Sequence, residues 1–170
     1  MKLKDLRPEF DILIIEPVTN TSENYLKMIT VAGYRANECN DPIEAISVVR
    51  NRPPHIILFS TSDLEASKRQ IEALASISSE FQIILLTNKS QVLRALNMVE
   101  QEAIFDFVTL PLNSPSELIS KADRAAEKLY LTFQLEDALL KNSSSVYDFE
   151  RKGKAFRPHD LLWKLALRVN

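Results

Sequence analysis

Three polar side chains directly follow apolar runs of the sequence and are the first candidates for chemistry. Glu16, Ser60 and Thr87 each come after four consecutive apolar residues. If these runs are strands of an open α/β sheet, the side chains lie at the carboxyl ends of the strands, where ligands bind. A single carboxylate makes a poor Mg²⁺ site. A serine hydroxyl is a weak nucleophile without an adjacent base, and no base is evident in the sequence.

Composition excludes several other kinds of site. Gly33 and Gly153 are the only glycines, whereas a phosphate-cradling loop needs several closely spaced ones. Cys39 is the only cysteine, which excludes an intrachain disulfide and a cysteine-rich metal site. His55 and His159 lie far apart in sequence and do not predict a zinc site or a catalytic triad. We therefore expect no cofactor and no metal.

Five apolar runs predict the strands that would position the polar residues. These runs are residues 11–16, 34–39, 55–60, 82–87 and 104–109. Between them apolar residues recur at helical spacing, for example at Val92, Leu93, Leu96 and Val99, which we expect to share a buried face. Apolar strands alternating with helices indicate a parallel sheet covered on both faces. Ser60 to Asp63 are expected to form a loop after the third strand.

Helix starts are marked by short polar motifs. Pro42 and Pro115 fall at first helical positions, where a missing N–H costs nothing. Three pairs resemble capping boxes, in which a cap side chain and a glutamate or glutamine three residues later satisfy each other's backbone N–H groups. They are Asn20 with Glu23, Asp41 with Glu44, and Ser114 with Glu117.

Several fragments together resemble the receiver domain of bacterial response regulators. They are "ILIIEP", "AGYRANECNDPIEAI", "PPHIILFS", "IILLTN" and "FDFVTLPL". The resemblance covers roughly residues 10–125. It implies a doubly wound, flavodoxin-like α/β fold with a five-stranded parallel sheet in the order 2-1-3-4-5. To this fold we add a long C-terminal helix and a helical tail.

The resemblance also implies where an active receiver would carry out phosphotransfer. The family needs two acidic residues after the first strand, and here these positions hold Glu16 and Pro17. The phosphoacceptor aspartate is replaced by Ser60, and the lysine before the proline of the last turn by Leu110. The hydroxyl position, Thr87, is kept. Without the second carboxylate, the acceptor and the cation, we expect a degenerate phosphoacceptor pocket and no enzymatic activity.

Two further residues allow a functional and a structural interpretation. Asp63 could serve as a displaced acceptor, but it also begins a helix, where a carboxylate is favourable. Phe107 matches the aromatic switch position of the family, yet it also fits a packed strand residue. We favour the structural interpretation of both. The Leu110–Pro111 bond matches a cis peptide of the family, and a cis bond before proline costs only ~0.5–1 kcal/mol.

A long helix is predicted from Ser116 to about Lys141, because good helix formers dominate and neither glycine nor proline occurs there. Leu118, Ala122, Ala125 and Leu129 would cover the sheet. Beyond them we expect apolar residues to project from the domain and form an interaction or dimer surface. This surface comprises Leu131, Phe133, Leu135, Leu139 and Leu140, with Trp163 from the tail.

Residues 142–170 are predicted to contain a linker, a basic and aromatic segment, and a short amphipathic helix at 161–169. Arg151, Lys152 and Lys154 lie near aromatic residues, a combination found in nucleic-acid binding. Acidic Asp148 and Glu150 lie among them, however, so we do not expect nucleic-acid binding. We expect the final helix to dock on protein, in cis or in trans.

The overall prediction is a non-catalytic pseudo-receiver comprising residues 1–125, with its last helix continuing to about 141. It would bind a protein partner in two-component-type signalling or transcriptional regulation, and form a homodimer. No apolar run approaches the ~20 residues that a membrane span needs, so we expect a cytoplasmic protein. Two alternatives remain: a receiver phosphorylated on Asp63, and the N-terminal regulatory part of a DNA-binding response regulator.

Overall fold

A computed structural model describes residues 3–17 and 24–142. Its centre is a five-stranded sheet in the order β2-β1-β3-β4-β5, and every neighbouring pair is parallel. The strands are β1 (Asp11–Ile15), β2 (Arg35–Cys39), β3 (Ile56–Thr61), β4 (Gln82–Asn88) and β5 (Asp106–Leu110). The predicted fold class and strand order are confirmed.

β3 is longer than the sequence suggested. Ser60 and Thr61 were expected in a loop, but they pair with Leu86 and Thr87 of β4. The apolar run ends at Phe59, whereas the hydrogen-bonded ladder continues for two more residues because β4 is long enough to support it. Ser60 is therefore held as part of the sheet.

Two short 3₁₀ helices, Arg7–Glu9 and Lys89–Gln91, lie in the connections. Six α-helices surround or extend the sheet within the described residues. They are α1 (Leu3–Leu6), α2 (Tyr25–Val31), α3 (Pro42–Asn51), α4 (Leu64–Ala75), α5 (Val92–Glu100) and α6 (Pro115–Asn142). None of these helices combines the length and apolar character required to cross a membrane. The predicted long C-terminal helix is present as α6.

Helix starts were predicted with mixed success. Asp41 caps α3 as expected, since its Oδ1 accepts from the N–H of Ile43 at 2.8 Å. The pair Asn20 and Glu23 lies outside the described residues. In the described part, α2 begins with Asn24 as its cap, whose Oδ1 accepts from the N–H of Lys27 at 2.8 Å.

Both faces of the sheet are buried, as expected for a doubly wound fold. On one face, a continuous apolar cluster includes Ile15, Ile57, Phe59, Leu85, Ile71 of α4 and Ala95 of α5. Strand residues of opposite parity are also buried, among them Ile12, Ile14, Ile56, Leu58 and Ile84. This explains why the strands could be predicted as continuous apolar runs.

The predicted apolar face of α5 is only partly buried. Leu93 is 78% exposed and Leu96 is 42% exposed, whereas Ala95 is fully buried. Met98 and Val99, three and four residues after Ala95, pack against the core cluster. The small alanine therefore marks the buried stripe, which is rotated from the one that the larger leucines suggested.

α6 continues from a first compact unit, which ends at Glu127, into a second, which begins at Lys128. In the first unit, Leu118, Ala122 and Ala125 are buried as predicted. In the second, the prediction that Phe133 is exposed is wrong, because its side chain is only 2% exposed. Phe133 follows Leu129 by four residues and shares its buried side of the helix.

Candidate functional site

The carboxyl edge of the sheet collects the residues predicted for the phosphoacceptor pocket. Glu16 directly follows β1, while Ser60, Thr87 and Leu110 belong to β3, β4 and β5. These four strands are consecutive neighbours in the sheet, and adjacent strands lie ~4.8 Å apart. The register pairs Thr61 with Thr87, so β3 and β4 end at the same level.

Glu16 is buried, but the residue beside it cannot complete a cation site. The Glu16 backbone N–H donates to the carbonyl of Cys39 at 3.1 Å, which continues the ladder between β1 and β2. Pro17 is exposed and has no side-chain oxygen. Among the described residues, no group of three or more His, Cys, Asp or Glu side chains is placed to hold a metal ion. The acidic pair of an active receiver is thus reduced to one carboxylate.

Thr87 is the most unusual polar residue at this edge. Its side chain is fully buried, and its hydroxyl has no hydrogen-bond partner in the described part of the chain. A buried hydroxyl without a partner costs roughly 1–3 kcal/mol. Ser60 on the neighbouring strand is also buried. The edge thus holds two buried hydroxyl-bearing residues, Ser60 and Thr87, beside the carboxylate of Glu16.

Leu110 brings an aliphatic side chain to the position where the receiver family has a lysine. It is half-buried at the end of β5, and the following Leu110–Pro111 peptide bond is cis, as the resemblance implied. A leucine offers neither a charge nor a hydrogen bond to an anionic group. This end of the strand therefore has the cis peptide that the resemblance implied, without a basic side chain at residue 110.

Asp63 lies three residues beyond Ser60 and caps α4. Its Oδ1 accepts from the N–H groups of Glu65 at 3.0 Å and Ala66 at 3.2 Å. The Asp63 N–H in turn donates to Thr61 Oγ1 at 3.1 Å. A carboxylate at a helix N-terminus is stabilised by the helix dipole and by the backbone N–H groups. The structure thus gives Asp63 the capping role that the sequence favoured.

Phe107 is half-buried and packs against the core cluster. The strand that carries it is fixed to α6 through Asp106, whose carboxylate accepts from Lys121 Nζ at 2.8 and 2.9 Å. Arg124 also contacts Asp106, at 3.2 Å. These ion pairs were not predicted, because the two segments are distant in sequence.

The amino edge of the sheet holds a separate polar cluster. Arg7 donates to both carboxylate oxygens of Asp123, at 2.8 and 2.6 Å, and to the carbonyl of Ala32 at 2.9 Å. The hydroxyl of Tyr34 donates to Asp123 at 2.6 Å. Burial, followed by the hydrogen bond to Asp123, raises the pKa of Tyr34. The bond to Asp123 likewise raises the pKa of Arg7.

His55 lies at the same amino edge and is buried. Its Nδ1 accepts from the N–H of Asp11 at 2.9 Å, and its ring meets Phe10 edge-on at 5.3 Å. Burial lowers the pKa of His55 to about 4; Asp11 opposes this shift and Arg35 adds to it. The imidazole is therefore neutral at pH 7 and acts as an acceptor within the fold.

Exposed apolar surface was underestimated from the sequence. Within the first unit, α2 and the start of α6 flank a groove of about 410 Å³ with an apolar lining that includes Met28, Val31 and Ile119. Leu93 and Leu96 of α5 add a second apolar patch. The sequence of α2 does not show that α6, which is distant in sequence, completes a groove with it.

The predicted dimer surface is only partly described. Leu131, Leu135 and Leu139 are 56%, 62% and 60% exposed. The side chain of Leu140 and all of Trp163 lie outside the described residues. The same is true of the linker, the basic and aromatic segment and the helix predicted at 161–169.

Solved structures of response regulators share this fold. NtrX from Brucella abortus in complex with ADP gives a TM-score of 0.68 at 16% identity, covering 76% of this chain and 29% of NtrX. A response regulator receiver domain protein from Clostridium thermocellum gives 0.63 at 13% identity, covering 72% of this chain and 98% of that one. A protein named adenylate cyclase from Rhodopirellula baltica gives 0.63 at 19% identity, with coverages of 78% and 98%.

No protein-family model matches the sequence, and no curated protein matches it. The chain therefore has the fold of a response-regulator receiver domain, established by structure at low sequence identity. It corresponds to about 29% of the length of NtrX.

Proposed function

We propose that this chain is a pseudo-receiver that acts through protein contacts and independently of aspartyl phosphorylation. We further propose a role in bacterial two-component-type signalling or transcriptional regulation, in the cytoplasm. The observation that carries the proposal is Ser60 at the acceptor position of a receiver fold, together with Pro17 and Leu110 in the places of a carboxylate and a lysine.

The three replacements disable the same reaction at different points. Mg²⁺ requires near-octahedral oxygen coordination and is usually held through one or two carboxylates and substrate phosphates. Glu16 alone remains from the metal-binding carboxylates. Ser60 offers a hydroxyl, which is a weak nucleophile unless a base activates it, and Leu110 cannot offset the charge of a phosphoryl group. A single replacement could be compensated, but the three together leave neither metal, nucleophile nor cation.

Asp63 does not take over as acceptor in this proposal. Its carboxylate is engaged with the backbone N–H groups at the start of α4. Phosphorylation of the carboxylate, which would form an acyl phosphate, would disturb this cap, which contributes typically ~1 kcal/mol to helix stability. Moreover, in the part of the chain that the structure describes, no lysine or arginine forms a hydrogen bond or an ion pair with Asp63.

Exposed apolar surface supports a role in protein contacts. The groove beside Val31 and the leucines of α5 lie on the first unit, and the leucines of α6 lie on the second. Soluble monomers rarely leave large contiguous apolar patches uncovered, and such patches commonly mark interaction sites. We propose a protein partner for the first unit, and homodimerisation through the exposed leucines of α6.

Treatment with acetyl phosphate and Mg²⁺ tests the loss of phosphotransfer. We expect intact-mass spectrometry to detect no phosphoryl adduct, while an active receiver domain treated in parallel becomes labelled. A substantial acid-labile adduct that maps to Asp63 would reject the proposal and favour the displaced acceptor.

Light scattering of paired substitutions tests the dimer. We expect Leu135→Glu with Leu139→Glu to convert a dimer into a folded monomer, because two charges cannot be buried at an apolar interface. Leu93→Glu with Leu96→Glu is the control, since it introduces the same two charges at leucines of α5 that are also exposed. If the unmodified chain is a monomer at tens of micromolar, or if only the α5 variant dissociates, α6 is not the dimer surface.

A further inference from the structure

The connection between β4 and α5 contains two buried polar atoms that have no hydrogen-bond partner in the part of the chain that the structure describes. They are Oγ1 of Thr87, near the end of β4, and Oε1 of Gln91, four residues later. A hydroxyl can donate a hydrogen bond and an amide oxygen can only accept one, so the two groups are complementary. Because leaving buried polar groups unpaired is unfavourable, the pair indicates a hydrogen bond that another conformation of this connection can make.

The start of α5 lacks the side-chain cap that the starts of three other helices have. At the starts of α2, α3 and α4 a cap side chain accepts a backbone N–H, from Asn24, Asp41 and Asp63 respectively. Gln91 is the cap residue of α5, and its side chain makes no such bond within the described residues. The 3₁₀ helix Lys89–Gln91 before it likewise has no side-chain cap in this part of the chain. Since a cap stabilises a helix start, this connection rearranges at a lower cost in free energy than the other three starts.

Thr87 and Gln91 belong to the same side of the sheet. Residues two apart in a strand face the same side, so Thr87 faces the side of Leu85, which belongs to the core cluster. Ala95 of α5 is buried in that cluster, and Gln91 is the cap residue of the same helix. A rearrangement confined to residues 88–91 is therefore the smallest change that joins the two groups, and it leaves the sheet unaltered.

We propose that residues 88–91 exchange between the observed conformation and a less populated one, in which the Thr87 hydroxyl donates to Gln91 Oε1. The exposed Leu93, the second residue of α5, moves with the start of the helix. A protein that binds Leu93 in only one of the two conformations shifts the exchange toward that conformation. The connection thus acts as a switch that needs no phosphoryl group. The exchange does not depend on the proposed pseudo-receiver role, so either proposal can fail while the other stands.

Relaxation-dispersion NMR of the whole chain tests the exchange, because it detects conformational exchange on the microsecond-to-millisecond timescale. We expect exchange broadening at the amides of residues 88–93. Thr87→Val removes the donor and Gln91→Met removes the acceptor at similar size, so each should reduce the broadening several-fold. Thr87→Ser keeps the hydroxyl and should retain the broadening. Thr109→Val is the matched control, since residue 109 pairs with Thr87 across the sheet and its hydroxyl takes no part in the proposed bond.

Flat dispersion profiles at these amides in the unmodified chain would overturn the exchange. Undiminished broadening in Thr87→Val or in Gln91→Met would overturn the hydrogen bond as its cause, as would loss of the broadening in Thr87→Ser or Thr109→Val. The amide spectrum of each variant shows whether it is folded. Because Thr87→Val and Gln91→Met remove opposite ends of the same bond, either one tests the proposal if the other does not fold.

Discussion

Polar side chains are hydrogen-bonded to one another at the amino edge of the sheet, whereas at the carboxyl edge one buried hydroxyl has no partner in the described part of the chain. At the amino edge, Arg7, Tyr34 and Asp123 form a connected set of short hydrogen bonds between segments far apart in sequence. At the carboxyl edge, Thr87 is buried with an unsatisfied hydroxyl, and the position where the resemblance implies a lysine holds Leu110. Polar residues at the amino edge hydrogen-bond to one another within the fold, whereas the carboxyl edge holds the residues of the degenerate pocket that we propose.

Removing the carboxylate at the amino edge should have the largest effect on stability. Asp123→Ala leaves the largely buried Arg7 guanidinium without its ion pair and Tyr34 without its acceptor. Breaking a buried pair from one side typically costs 3–5 kcal/mol, so we expect a loss of about 3 kcal/mol or more in urea unfolding. Glu127→Ala, which removes an exposed carboxylate on the same helix, is the control. Equal losses of unfolding free energy in the two variants would show that the hydrogen bonds of Asp123 do not stabilise the fold.

Acid should weaken the amino edge through His55. Burial lowers its pKa to about 4, whereas the unfolded chain has a histidine pKa of about 6.5. Between these values the unfolded state binds more protons, so stability is fully present above pH 6.5 and falls as the pH is lowered. We expect His55 to account for a loss of about 2–3 kcal/mol by pH 4.

Chemical denaturation of the unmodified chain and of His55→Gln across this pH range provides the measurement. The glutamine variant keeps an acceptor for the Asp11 N–H but does not titrate, so its stability should depend less steeply on pH. Parallel pH profiles for the two proteins would show that His55 does not determine the acid response.

At the carboxyl edge, removing the Thr87 hydroxyl should not reduce the stability of the protein. Thr87→Val replaces the unsatisfied hydroxyl by a methyl group of similar shape. We expect stability to be unchanged or to rise by up to about 1 kcal/mol, since burying an unpartnered hydroxyl is unfavourable. Urea unfolding of Thr109→Val, on the neighbouring strand, measures how much the replacement of a strand threonine by valine changes stability in general. A loss well above 1 kcal/mol in Thr87→Val would indicate that the hydroxyl is satisfied in solution.

Features that depend on residues close together in the sequence could be predicted. The strands could be predicted because Ile56 to Phe59 and Ile83 to Leu86 are buried on both faces and form unbroken apolar runs. The site positions followed, because polar residues after parallel strands meet at one edge. Local caps such as Asp41 and Asp63 were also visible.

Interactions between distant segments could not be predicted in this way. Arg7 and Asp123 are 116 residues apart in sequence, and no local pattern links them. The exposure of Phe133 on α6 was predicted wrongly and the buried face of α5 only in part, because helical periodicity identifies several apolar stripes without showing which one meets the core. In α5 the buried stripe contains Ala95, whose small side chain gave the weaker signal.

Restoring the carboxyl edge tests most directly whether the pocket is inactive because three positions are lost together. The Ser60→Asp variant and the triple variant Pro17→Asp, Ser60→Asp, Leu110→Lys are treated with acetyl phosphate and Mg²⁺, and their intact masses are measured. We expect the triple variant to gain an acid-labile phosphoryl group, because it regains the second carboxylate, the acceptor and the cation. Ser60→Asp alone should stay unlabelled, since Pro17 leaves the metal site short of a carboxylate and Leu110 offers no cation. Labelling of Ser60→Asp to the same extent as the triple variant would contradict the account.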